Sequence, residues 1–139
     1  MIQITPKQIK PEPLRRLLED SSCGGFCVFE GRMRRQNEGR MVRKLEYESY
    51  VPMAESQIAG LVKEAKKRWG IRKAVAVHRV GRVDLGGLAV WVGVASPHRA
   101  EAFAACRFLI DGIKHQVAIW KLETYTDGSK AWVGCGIRH

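Results

Sequence analysis

Lys114 and Lys121 are the side chains with most chemistry to offer, two amines joined by His115-Gln116-Val117-Ala118-Ile119-Trp120. A lysine amine is a compact, ionisable point charge. Burial or a neighbouring cation lowers its pKa toward the range of a nucleophile or proton shuttle. Two of them entering one pocket would activate each other. Spacing alone also describes two solvated lysines, the commoner situation for this residue.

A second basic group, His98-Arg99, follows Ser96-Pro97. Ser as N-cap and Pro as first helical residue predict a helix start, with His98 and Arg99 in the first turn. Cations there oppose the helix dipole. Unpaired backbone N–H groups favour an anion at the same place, so the pair reads as a phosphate site. A third group, Arg32, Arg34 and Arg35, closes an apolar run. The four cysteines, Cys23, Cys27, Cys106 and Cys135, have neither the spacing nor the histidines of a zinc site and are expected to be free thiols. No metal is expected.

These residues need elements to hold them. Phe26-Cys27-Val28-Phe29 runs through Gly31 into the arginines. After the turn-like Gln36 to Gly39, Met41 to Tyr50 alternates apolar and charged residues, and the two stretches predict a hairpin with a basic tip. Apolar residues at helical spacing from Pro52 to Trp69, stopped by Gly70, predict a long helix whose Lys63, Lys66, Lys67 and Arg68 form a solvated face. Strands follow at 73–80 and 88–95 around a turn at 81–87. A second long helix runs from Ser96 toward Lys114, and short strands at 117–122 and 130–133 flank a turn at 126–129. A short strand at 2–4 and a weaker helix at 13–20 fill residues 1–22, and 134–139 is a tail. The expected fold is one α+β domain over 1–139, with a mixed or antiparallel sheet, two long helices and a short N-terminal helix.

The 139 residues carry 24 Lys+Arg against 14 Asp+Glu, a net charge of +10, which favours phosphate-bearing or acidic partners. The longest apolar run, Leu88 to Ala95, is far short of the ~20 residues of a membrane span. Met1 to Lys7 has no apolar block behind it, so no signal peptide, no membrane association and a cytoplasmic location are expected. A small nucleic-acid-binding domain is the competing class, supported by the charge and by six basic residues between Arg32 and Lys44. No nucleic-acid-binding signature accompanies them, and the four tryptophans sit singly among apolar residues, as core tryptophans do.

The run Gly24-Gly25-Phe26-Cys27-Val28-Phe29-Glu30-Gly31-Arg32-Met33-Arg34, followed by Asn37-Glu38-Gly39, resembles the large, catalytic subunit of molybdopterin synthase. So do Leu45-Glu46-Tyr47-Glu48, Met53-Ala54, Arg68-Trp69-Gly70, His78-Arg79-Val80-Gly81, Pro97 to Phe103, and Asp111 to Lys114 leading into Ile119-Trp120-Lys121. The resemblance implies a sulfurtransferase of molybdenum cofactor synthesis that converts cyclic pyranopterin monophosphate to molybdopterin. Its sulfur comes from the C-terminal Gly-Gly thiocarboxylate of a small ubiquitin-like subunit, so no cofactor and no persulfide on Cys27 or Cys106 is required. By matched position, Lys114 and Lys121 are the expected catalytic pair. Arg34, His98 and Arg99 are expected to bind the pterin and its phosphate, with Arg32 and Glu123 close by. The implied assembly is a heterotetramer, a central homodimer with a small subunit at each end. Two positions depart from the family pattern: Arg35 stands where Asn is usual, and Gly136, with Arg138 nearby, stands where a basic residue is expected.

His98 and Lys114 lie sixteen residues apart on one predicted helix, ~24 Å at 1.5 Å per residue. One pterin cannot span that distance. Each pocket is therefore expected to join Lys114, Lys121 and Arg34 of one protomer to His98 and Arg99 of the other. A sharp break near Gly112, folding Lys114 back, is the alternative.

Overall fold

The computed structural model describes residues 1–37 and 39–134. In chain order the elements are β1 (Ile2–Thr5), α1 (Pro11–Arg16), β2 (Gly25–Arg32), β3 (Gln36–Asn37), β4 (Arg40–Ser49), α2 (Val51–Trp69), β5 (Lys73–Arg79), β6 (Gly81–Val83), β7 (Leu88–Ser96), α3 (Arg99–Gln116), β8 (Ile119–Tyr125) and β9 (Lys130–Gly134). The fold is α+β, as expected, but it holds two sheets. The first has the order β1-β5-β7-β2, with β1 parallel to β5 and the other pairs antiparallel. The second has the order β3-β4-β8-β9, with β6 paired to β4.

The long helices follow their apolar spacing. α2 buries Ala54, Ile58, Leu61 and Ala65, and Gly70 ends it in the left-handed conformation at φ 63°, where its N–H donates to the Lys66 carbonyl. Lys63, Lys66, Lys67 and Arg68 stay exposed. α3 crosses α2 at Gly112, where an added Cβ would lie 2.7 Å from the Leu61 methyls. Both helices pack on one face of the first sheet, against Ala74, Ala76, Val90, Val92 and Val94. Its other face buries Val75, Val77 and Trp91 against Leu14 and Leu18, at the end of the chain's first helical segment.

Three expectations change. β2 does not pair with β4 in a hairpin; it runs antiparallel along β7 from Gly25↔Ser96 to Arg32↔Leu88. β4 instead joins β8 and β6, and only β3 turns back on it. The alternation in Met41–Tyr50 marks a strand with one wet face, but it carries no information about which strand covers the other side. Helix α3 begins later than its Ser-Pro signal, because Ser96 is drawn into β7 as its last paired residue. His98 becomes the N-cap, extended at φ −127° and ψ 154°, with no side-chain capping bond. The tryptophans are not all core: Trp91 is fully buried, but Trp120 and Trp132 are 39% and 56% exposed, on the outer face of the second sheet.

Candidate active site

Strand register builds the site. Tyr47, Lys121 and Val133 stand directly opposite one another on β4, β8 and β9, with side chains on the inner face of the second sheet. Lys114 comes from the last turn of α3. The four meet at a cavity of about 350 Å³, into which Ile110 and Ile113 of α3, His78 of β5 and Val90 of β7 also project. The two lysines therefore converge, and the reading as unrelated surface residues fails. Lys114 is exposed, whereas the Lys121 side chain is 29% accessible.

Glu123 lies outside the cavity lining but holds Lys121. Its carboxylate is buried, 3.6 Å from the Lys121 Nζ, and it accepts a hydrogen bond of 2.9 Å from the Tyr125 hydroxyl. Residues 121, 123 and 125 share a face because strand side chains alternate. Burial, and then the Glu123 charge, push the Tyr47 phenol up to about 12, so it is a neutral hydroxyl at any working pH. His78 is held down at about 4 by burial, against the pull of its bond with the Arg79 carbonyl, so its ring is neutral as well. The lysines thus share a partly apolar cavity with a neutral phenol and a neutral imidazole. Sequence reasoning assigned no role to Tyr47 or His78. The signal for the first was its place in an alternating strand opposite Lys121; a histidine ending an apolar strand reads equally as a core residue.

The other basic residues occupy two ends of the first sheet. A row of partners, Gly31–Val90–His78–Ile4, crosses it at the cavity. Arg32 follows Gly31 and donates to the Gly86 carbonyl at 2.8 Å, with Glu30 at 3.3 Å; Arg34 lies just beyond, exposed. His98 and Arg99 are at the opposite end, beside Gly24 and Gly25. The Gly24 N–H donates to the Pro97 carbonyl, and a Cβ on Gly25 would come within 2.9 Å of the His98 carbonyl carbon and oxygen. The Gly-Gly pair therefore exists to let β2 touch the start of α3. Glu101, in the first turn, answers part of the helix dipole.

Helix α3 is continuous from Arg99 to Gln116, which removes the alternative of a break at Gly112. Its length keeps His98 ~24 Å from Lys114, and six strand positions of β7, between Val90 and Ser96, separate the same two ends by ~20 Å. Among the described residues no cluster of three His, Cys, Asp or Glu could hold a metal. Cys23, Cys27 and Cys106 are free thiols, and burial together with its Cys27 neighbour pushes Cys106 up to about 12, which makes it a poor nucleophile. Gly136, Arg138 and Cys135 lie outside the described residues.

Comparison with known proteins identifies the family. The family model described as "MoaE protein" matches residues 4–116. The chain is 42% identical over 131 residues to a molybdopterin synthase catalytic subunit from Thermoplasma volcanium, covering 94% of this chain and 96% of the relative. It is 40% identical over 134 residues to one from Nostoc, covering 96% and 81%. A crystal structure of molybdopterin synthase from Staphylococcus aureus superposes with a TM-score of 0.88 at 35% identity, covering 94% and 95% of the two chains. A complex of subunits 1 and 2 of molybdopterin-converting factor from Helicobacter pylori shares the fold, with a TM-score of 0.78 at 19% identity and coverage of 95% and 89%. With the family model spanning residues 4–116 and the fold matched over 94% of the chain, the chain belongs to the MoaE family.

Proposed function

We propose that the chain is the catalytic subunit of a molybdopterin synthase, a sulfurtransferase of molybdenum cofactor biosynthesis. It converts cyclic pyranopterin monophosphate to molybdopterin with sulfur from the C-terminal Gly-Gly thiocarboxylate of a small ubiquitin-like subunit. The observation that carries the reading is the convergence of Lys114 and Lys121 on one cavity in a member of this family. In that cavity the two ammonium groups offset negative charge on the incoming thiocarboxylate and on the oxygens released as sulfur adds, and they relay protons as the cyclic phosphate opens. Glu123 sets the position of the Lys121 amine. Arg34, with Arg32 nearby, holds the pterin at the lysine end, and His98 and Arg99 hold phosphate at the start of α3.

Because those two ends lie far apart in one chain, we assign each complete pocket to two copies. Strand β2 supports this. It is the edge of the first sheet, and Phe26 (50%), Val28 (37%) and, on the adjoining helix, Phe103 (63%) are exposed beside it. An open strand edge flanked by apolar groups is a template for pairing. Antiparallel pairing of β2 with its copy sets the Gly25 end of one protomer against the Arg32 end of the other. His98 and Arg99 then reach the partner's lysine cavity. A small subunit on each outer side completes a heterotetramer.

The test is incubation with thiocarboxylated small subunit and cyclic pyranopterin monophosphate, followed by assay for the dithiolene. Product from the native chain supports the reading. Absence of product from a folded chain that binds the small subunit removes it.

A further inference from the structure

On β5, Ala74, Ala76 and His78 face the long helices. An imidazole closing a row of alanines in an apolar interior needs a reason. His78 is 6% exposed and projects into the lysine cavity, in the strand row next to Val90. Two contacts fix its ring. Nδ1 lies 2.8 Å from the Arg79 carbonyl oxygen. A carbonyl oxygen only accepts, so Nδ1 carries the hydrogen and Nε2 keeps a bare lone pair. The Tyr47 ring packs edge-on at 4.8 Å between centroids and 72° between planes. Nε2 itself has no hydrogen-bond partner among the described residues. Lys114 and Lys121 attract any anion by charge and can only donate. A fixed acceptor beside them demands something they do not, a donor on whatever enters.

We propose that His78 Nε2 is a binding group that accepts a hydrogen bond from an N–H of the molecule entering between Lys114 and Lys121. The inference rests on the function proposed above, in which two entrants carry such groups, the backbone amides of the Gly-Gly tail and the ring N–H groups of the pterin. The shared chemistry is a planar N–H donor. Leaving Nε2 unpaired in the bound state costs affinity for a ligand without a donor at that point, and so the histidine selects among anions.

The His78→Phe variant keeps ring shape and removes the acceptor. Titration calorimetry with the small subunit in its ordinary carboxylate form, and separately with cyclic pyranopterin monophosphate, reads the loss. Removal of one hydrogen bond weakens binding of its donor by about three- to tenfold. Weakened small-subunit binding identifies the tail as the donor, and weakened pterin binding identifies the pterin; either supports the proposal. Unchanged affinity for both overturns it, even with a lower kcat. Should the variant not fold, nitrogen NMR of the native chain gives the answer. Nε2 must resonate as an unprotonated imidazole nitrogen and shift when one of the two ligands is added; a protonated Nε2, or no shift with either, overturns the proposal. A native chain that binds both ligands and makes dithiolene while failing these tests loses only the His78 assignment. A native chain that binds neither loses the proposed function.

Discussion

Lys121 shows how much a single register position decides. Across β4, β8 and β9 it sits between Tyr47 and Val133, and one residue of slip would turn it to the solvent face with Trp120 and Leu122. Lys114→Ala and Lys121→Ala should each lower dithiolene formation by about 10²–10⁴-fold, the range for removing a proton-transfer group. The melting temperature of Lys114→Ala should stay close to native, since that side chain is exposed. The buried imidazole makes a second prediction. In the folded chain burial holds His78 at about 4, against 6.5 when unfolded. Between those values the unfolded chain binds the extra proton, so stability is full above pH 6.5 and falls as pH drops toward 4. The loss at the lower end is on the order of 3 kcal/mol. Denaturant titrations from pH 7 to 4 should therefore show a steeper decline for the native chain than for His78→Phe. At this scale the sequence was informative about charges and silent about neutral partners: Lys114 and Lys121 stood out by family resemblance, where spacing alone fitted two solvated lysines as well, and nothing in the row Ala74-Val75-Ala76-Val77-His78 separates a site histidine from a core one.

Elements were most legible where the signal is local. The 3.6-residue spacing and Gly70 place α2 to within a residue, since helix periodicity and a left-handed stop are properties of one segment. Strand partners are not local, which is why the arginine-tipped strand was matched to its neighbour in sequence and belongs instead to β7, on the far side of α2 in the chain. Ser96-Pro97 carried a good capping signal that lost to a ladder position at the end of β7. The start of α3 is set by its contact with β2, and this yields a third prediction. A methyl group at Gly25 has no space against His98 and Arg99. Gly25→Ala should cost about 1–3 kcal/mol in a denaturant titration, and it should weaken binding of cyclic pyranopterin monophosphate by displacing both basic residues. The open edge gives a fourth. Val28→Lys places a charge on the exposed side of β2, and sedimentation should show a monomer whose melting temperature is close to native and whose activity is lost.

For the whole molecule, the proposed function gives the net charge of +10 a use at the lysine cavity and the start of α3, both suited to anions, without recourse to nucleic acid. No described helix is long and apolar enough to cross a membrane. The arithmetic of α3, available from residue numbers alone, already separated His98 and Arg99 from the lysines. The fold adds an open strand edge, β2, on which the proposed pairing with a second copy rests. That division is best tested by mixing two variants, each inactive alone, Lys114→Ala and His98→Ala. After subunit exchange, verified by mass spectrometry of the mixed dimers, a pocket joining the native lysine of one chain to the native histidine of the other should form once per mixed dimer. With random exchange of equal amounts, half the dimers are mixed, and activity should recover to about a quarter of the native level. No recovery in verified mixed dimers would place both residues in one chain's pocket and contradict the account.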